Sequence, residues 1–168
     1  MLLKLALICF LSFQIFSLNE CSILNRALLN QWLSQITINS PYIDLDNRQI
    51  ESIDIDTFAG LTNLQYLELF SNKLTELNVN VFNGLSGLRS LTLYNNQLTI
   101  IDTGTFKDLF NLENINLYNN KIIAIDRDVF VGLNNLRSAY FGMNPITAVQ
   151  QSFVLSLCAT NPRCKVYT

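Results

Sequence analysis

Leu64–Leu88 reads LQYLELFSNKLTELNVNVFNGLSGL, and the stretch recurs. Displaced by 24 residues, Leu88–Leu112 reads LRSLTLYNNQLTIIDTGTFKDLFNL, and Leu112–Leu136 reads LENINLYNNKIIAIDRDVFVGLNNL. A weaker copy precedes them from Ser40 and another follows from Leu136, so five copies stand in register without an insertion. A fixed period of this size marks stacked units that share one continuous core.

Each position of the repeat has a physical task. The strand is short and alternating: Leu67 and Leu69 point inward, while Tyr66, Glu68 and Phe70 point out. The inward pair recurs as Ile43 and Leu45, Leu91 and Leu93, Ile115 and Leu117, and Ala139 and Phe141. Three residues after the second member comes Asn72, then Asn96, Asn120 and Asn144. A buried Asn satisfies backbone groups where the chain turns off the strand, and one per turn makes a ladder. The first copy has Arg48 there, as suits a less enclosed end repeat. Ile50, Leu74, Leu98, Ile122 and Ile146, then Ile53, Leu77, Ile101, Ile125 and Val149, carry the core around the corner. Phe58, Phe82, Phe106 and Phe130 fill the far side of each turn, and Leu61, Leu85, Leu109 and Leu133 close it. Gly60, Gly84 and Gly132 sit where a tight turn calls for positive φ.

This pattern, L-x-x-L-x-L-x-x-N-x-L-x-x-I-x-x-x-x-F-x-x-L, resembles the leucine-rich repeats, specifically the 24-residue type typical of animal extracellular proteins. The resemblance covers Ser40 to about Leu157. It implies an α/β right-handed solenoid of five repeats, with a parallel sheet on the concave face and loops or short helical turns outside. It is specific for fold and nearly silent on ligand, because the family includes receptor ectodomains, matrix proteins and variable lymphocyte receptors.

The chain divides into a signal peptide over 1–17, an N-terminal cap over 18–39, the solenoid over 40–157 and a C-terminal cap over 158–168. Met1–Ser17 has an early Lys4, an apolar run from Leu5 to about Phe13 and a small residue at its end. That order is a secretory signal; the alternative is an uncleaved anchor, although the run is shorter than the ~20 residues a span needs. A secreted, extracellular product with no membrane span after cleavage is expected. Leu24, Leu28 and Trp32 recur at four-residue spacing within Asn19–Gln35, which predicts an amphipathic capping helix beginning near Asn19. The four-cysteine module with which the family often caps this end is not here: the region holds one cysteine, Cys21. Phe153, Val154 and Leu157 lead into a reduced C-terminal cap.

Without Cys9 of the leader, Cys21, Cys158 and Cys164 remain. An oxidising compartment makes them disulfide candidates. Cys158 and Cys164 flank a turn-prone Ala-Thr-Asn-Pro-Arg loop and are expected to pair. Five strands at ~4.8 Å put the ends of the solenoid about 20 Å apart, whereas a disulfide needs Cα atoms within ~7 Å. Cys21 is therefore either buried and reduced or the link of a disulfide-bonded dimer.

Composition narrows the function. A formal charge of −2 and a pI near 5.0 give no basic surface, so no nucleic-acid partner is expected. The chain contains no His, which removes Ser-His-Asp and Cys-His catalysis and His-based zinc sites. No enzymatic activity, cofactor or metal is expected. There is no Asn-x-Ser/Thr sequon to shield a face with glycan. The series Asp54, Asn78, Asp102 and Asp126 reads as caps of the turns leading to each Phe; a calcium site between neighbouring carboxylates is the other reading.

What remains is the outward face of the strands. One column reads Tyr42, Tyr66, Ser90, Asn114, Ser138, and the next Asp44, Glu68, Thr92, Asn116, Tyr140. The third reads Asp46, Phe70, Tyr94, Tyr118, Gly142, flanked by Asn47, Ser71, Asn95, Asn119, Met143. Phe70, Tyr94 and Tyr118 form an aromatic stripe, extended by Tyr66 and Tyr140. Such rings either anchor a protein interface or merely stack across strands. Asp44, Asp46 and Glu68 form an acidic end that either receives a basic segment or is a solvated rim. The expected binding residues are Tyr42, Asp44, Tyr66, Glu68, Phe70, Tyr94, Asn116, Tyr118 and Tyr140, with a protein ligand. Resemblance to the extracellular family implies adhesion, innate recognition or signal modulation. The alternatives are a self-associating structural protein and a decoy fragment of a larger receptor.

Overall fold

The computed structural model describes residues 22–32, 39–156 and 164–168, and of 127, 149 and 150 the backbone alone. The expected leader, Cys21, Leu157 and Cys158 lie outside the described residues. In chain order, β1 (Ile23–Leu24) and helix α1 (Arg26–Trp32) precede β2 (Tyr42–Asp44) and β3 (Ser52–Ile53). There follow β4 (Tyr66–Glu68), β5 (Ser90–Thr92), β6 (Ile100–Ile101), β7 (Asn114–Asn116), β8 (Ala124–Ile125) and β9 (Ser138–Tyr140). Helix α2 (Ala148–Ser156) and β10 (Lys165–Tyr167) complete the chain. The order β10-β9-β7-β5-β4-β2 makes one six-stranded sheet, and its neighbours are all parallel. On the return side of the coils, β1 pairs with β3 and β6 with β8.

The register of the sheet is the register of the repeat. Tyr42 pairs with Tyr66, Tyr66 with Ser90, Ser90 with Asn114 and Asn114 with Ser138. Period two then buries Ile43, Leu67, Leu91, Ile115 and Ala139 together. Across the core the rings of Phe58, Phe82, Phe106 and Phe130 form a spine with centroids 6.3, 6.2 and 5.8 Å apart. The spine ends edge-on against Phe141 at 5.9 Å. In the fifth turn the sizes are exchanged: Phe141 stands where the others have Leu, and buried Val154 stands where they have Phe. The exchange keeps the turn close-packed without repeating its residues.

The Asn ladder fastens each coil to the one before it. Asn96 accepts from the Leu74 N–H at 3.1 Å and donates to the carbonyls of Leu69 (2.9 Å) and Leu93 (3.0 Å). Asn72, Asn120 and Asn144 make the same bonds one turn before, one after and two after. The residue before each is left-handed: Ser71, Asn95, Asn119 and Met143 have φ between 51° and 60°. That conformation costs about 1–2 kcal/mol for a residue with a Cβ. The turn is held because the adjacent buried amide has no alternative partners. Gly60, Gly84 and Gly132 take φ of 78°, 78° and 89° where the repeat turns back, as expected.

The turns before each Phe share one bond. Asp54, Asn78, Asp102 and Asp126 all accept through the backbone carbonyl from the N–H three residues on, at Thr57, Val81, Thr105 and Val129. At Asn78 and Asp126 the side chain adds a second bond, accepting from the N–H groups of Asn80 and Asp128. Asp126 thereby caps a short 3₁₀ turn, Arg127–Phe130.

The ends depart from the sequence reading. The helix expected near Asn19 begins at Arg26, with Asn25 as its cap: the Asn25 Oδ1 accepts from the Leu28 N–H at 3.0 Å. Leu24 lies not on the helix but in β1, where it is buried. The Leu24–Leu28 spacing that mimicked a helix face joins two elements that both turn their apolar side to the same core. The segment is tied down by the Leu24 carbonyl, which accepts from the Asp54 N–H (2.8 Å) and the Thr57 hydroxyl (2.9 Å). Arg26 donates to the carbonyls of Thr57 and Ala59, both at 3.0 Å. Arg48 lays its guanidinium 5.2 Å above the Trp32 ring. At the other end, 158–168 is not only a cap, since Lys165–Tyr167 extends the sheet as a sixth strand. Lys165 pairs with Ser138, 27 residues earlier rather than 24, so the strand escapes a search at the repeat's period. Cys164 is disulfide-bonded, with a partner outside the described residues.

Asn96→Ala would strand a buried donor and buried acceptors. It is expected to lower stability by about 3 kcal/mol in urea denaturation, whereas Arg48→Ala, at an exposed stacking contact, should lose under about 1 kcal/mol.

Candidate functional site

Because the sheet is parallel and in register, its outward residues fall into straight columns. Column one exposes Tyr42 (52%) and Tyr66 (43%) side by side. Column two holds Asp44 beside Glu68, then Thr92, Asn116 and Tyr140. Tyr140 stacks on Tyr167 of β10 with centroids 4.4 Å apart and planes 6° apart. Tyr167 was missed by sequence reasoning because its strand lies off the repeat's period.

The third column is not one continuous stripe. Phe70 and Tyr94 stack at 4.6 Å and 7°. Tyr118 has a different support: its ring lies over Gly142, where an added Cβ would come 3.1 Å from Cδ2 and Cε2. Gly142 is thus the seat of Tyr118 rather than a gap in the column. Asn116 accepts from the Tyr118 N–H at 3.0 Å and fixes the backbone beneath the ring. Beside the column the left-handed residues make their own chain, from Asn119 to Asn95 (2.6 Å) and from Asn95 to Ser71 (3.4 Å). In column one Ser138 donates to Asn114.

Charge divides the face. At the β2–β4 end, Asp44 accepts from the Asp46 N–H at 3.0 Å, and Asp46 accepts from the Phe70 N–H at 2.9 Å. Burial pushes the Asp46 carboxyl up to about 7; the Phe70 N–H opposes this, and the neighbouring Asp44 and Glu68 add to it. Partial desolvation, then the fields of Asp44, Glu68 and Asp46, raise the Tyr42 phenol above its ordinary value. Toward the other end, Glu113 is shared by Arg89 (3.0 Å) and Arg137 (3.2 Å), and Lys165 stands on β10. Among the described residues no group of three His, Cys, Asp or Glu side chains is placed to hold a metal ion. Nor, among them, is any helix long and apolar enough to cross a membrane.

The sequence profile of the leucine rich repeat family matches residues 42–98 and 86–146. No curated protein matches the chain in sequence. Among solved structures, the APL1 leucine-rich repeat domain is similar with a TM-score of 0.70 and 28% identity, over 81% of this chain and 34% of that one. The LRIM1/APL1C complex gives 0.68 and 27%, over 80% and 24%. The Drosophila Toll–Spatzle complex, described as a hub in development and innate immunity, gives 0.56 and 27%, over 59% and 14%. The chain spans about a third or less of the length of each of these.

Because the folded pKa of Asp46 is raised, its contribution to stability is present below the ordinary carboxylate range and is lost as pH rises through about 7. Asp46→Asn keeps the acceptor for Phe70 and removes the charge. It is expected to raise Tm at pH 7.5 by about 2–4 °C, the equivalent of ~1 kcal/mol for a half-exposed group, and to raise Tm at pH 5 by a smaller amount, because the loss builds up between the ordinary carboxylate range and about 7. A thermal melt at both pH values checks it.

Proposed function

The chain belongs to the leucine-rich repeat family, and from that premise we propose that it is a protein-recognition module acting through the open face of its six-stranded sheet. One observation carries the reading. Tyr42, Tyr66, Phe70, Tyr94, Tyr118 and Tyr140 stand on one hydrogen-bonded sheet whose register is fixed by the buried Asn ladder. Stacking on neighbouring strands, or seating over Gly142, already restricts Phe70, Tyr94, Tyr118 and Tyr140. Little rotamer entropy is left to lose on docking, which is how a rigid aromatic surface gains affinity. Two of the similar structures are complexes, LRIM1/APL1C and Toll–Spatzle, which supports protein as the partner class.

The module is a secreted one in this reading. The leader-like Met1–Ser17 supports it, as does the disulfide at Cys164, since such bonds persist in oxidising compartments. In this reading Cys158 is the partner of Cys164. The role fits adhesion, innate recognition or signal modulation outside the cell.

Affinity capture from the native extracellular fluid tests the reading. A Phe70→Ala, Tyr94→Ala, Tyr118→Ala variant that melts within a few degrees of the parent is expected to lose the partner that the parent retains. A partner held equally by both moves the site off the Phe70, Tyr94 and Tyr118 column. The intact mass of the secreted chain should lack residues 1–17, and peptide mapping without reductant should recover Cys158 linked to Cys164.

A further inference from the structure

The two ends of the sheet face differ in kind. At the β2–β4 end, two exposed tyrosines, three carboxylates and the Phe70–Tyr94 stack form a contiguous block. Asp44, Asp46 and Glu68 repel one another, and among the described residues none of them meets a lysine or arginine. The ion pairs of the described chain lie elsewhere, at Glu113. Later repeats carry neutral Thr92 and Asn116 in the column of Asp44 and Glu68, and Tyr94 and Tyr118 in that of Asp46, so the fold itself does not demand acids there. Uncompensated like charges beside exposed aromatic rings are a surface shaped for an opposite charge.

We infer that the β2–β4 end of the sheet docks an extended cationic segment of a partner protein, with its lysine or arginine stems on Tyr42 and Tyr66 and their charged heads on Asp44, Asp46 and Glu68. The inference rests on the recognition reading above and narrows its partner. Long basic side chains match this block because their apolar stems cover rings while their heads reach carboxylates. Asp44 and Glu68 are register partners, so their carboxylates project from strands ~4.8 Å apart, within the fork of one guanidinium or two neighbouring ammonium groups. Lys165, exposed on β10, and the exposed Arg137 just before β9 disfavour the same segment at the other end, which confines it to the β2–β4 end. Proton linkage follows from the same contacts. Tyr42 and Asp44 of β2, Glu68 of β4 and the Phe70 N–H surround Asp46, so an arriving cation favours its ionised form.

The probe is a synthetic Gly-Arg-Gly-Lys-Gly-Arg-Gly peptide, with a Gly-Gln-Gly-Gln-Gly-Gln-Gly control, titrated into the isotopically labelled mature chain at 150 mM NaCl and pH 7.5. The basic peptide is expected to shift the amides of Tyr42, Tyr66 and Phe70, and the control to leave them in place. An Asp44→Asn, Glu68→Gln variant, isosteric and so expected to melt like the parent, should bind roughly tenfold or more weakly. Affinity should fall from pH 7.5 to pH 6, and Asp46→Asn should lose that dependence. No shifts with the basic peptide, equal shifts with the control, or equal affinity for the variant would each overturn the inference. A native partner lost by the aromatic triple variant but kept by Asp44→Asn, Glu68→Gln would also overturn it while leaving the recognition reading intact.

Discussion

From the second coil to the fifth, the chain turns off its strand through a left-handed residue, and the amide of the Asn that follows holds the turn. Ser71, Asn95, Asn119 and Met143 all take positive φ, and Met gains nothing from the conformation by itself. The following Asn donates to carbonyls of its own coil and the previous one, and accepts from a previous-coil N–H. An amide sealed among leucines has no water to fall back on, so these bonds are lost together or kept together. This constraint sets the rise from coil to coil, and through it the strand register and the straight columns of the outer face.

The ends show what happens where the constraint runs out. In the first coil Arg48 replaces the Asn; its backbone N–H is still served by Asn72, while its side chain leaves the core and stacks on Trp32. In the fifth coil the Asn is kept and the core residues change, with Phe141 and Val154 exchanging bulk. The sheet then gains β10, whose Val166 packs against the core and whose Tyr167 stacks on Tyr140. An open strand edge is a template for unwanted pairing; the strand from the chain's end covers that of β9.

The outer face inherits its order from the inside but its chemistry from positions the core ignores. Column residues alternate with buried ones, so they vary without disturbing the leucines behind them. The acidic–aromatic block at β2–β4 and the basic groups toward β10 make the face polar from end to end. The raised pKa of Asp46 is a consequence of placing a carboxylate in the half-buried ring column and beside two others.

The sequence by itself determined the period, the inward and outward sets, the Asn ladder and the Phe spine. These are repeated many times over, and each copy corrects the reading of its neighbours. It also placed the face residues in columns, because a fixed register converts sequence spacing directly into geometry. Elements without a second copy were not legible. The helix start slid from Asn19 to Arg26 because Leu24, a strand residue, happens to fall at helical spacing from Leu28. Strand β10 was invisible because it pairs 27 residues from its neighbour. Only the tertiary structure decided that Tyr118 rests on Gly142 rather than being a third member of the Phe70–Tyr94 stack, and that Asp46 is desolvated enough to hold its proton near neutrality. Ring seating and burial depend on what stands one coil away, and a one-dimensional pattern fixes that neighbour's identity without fixing the space between them.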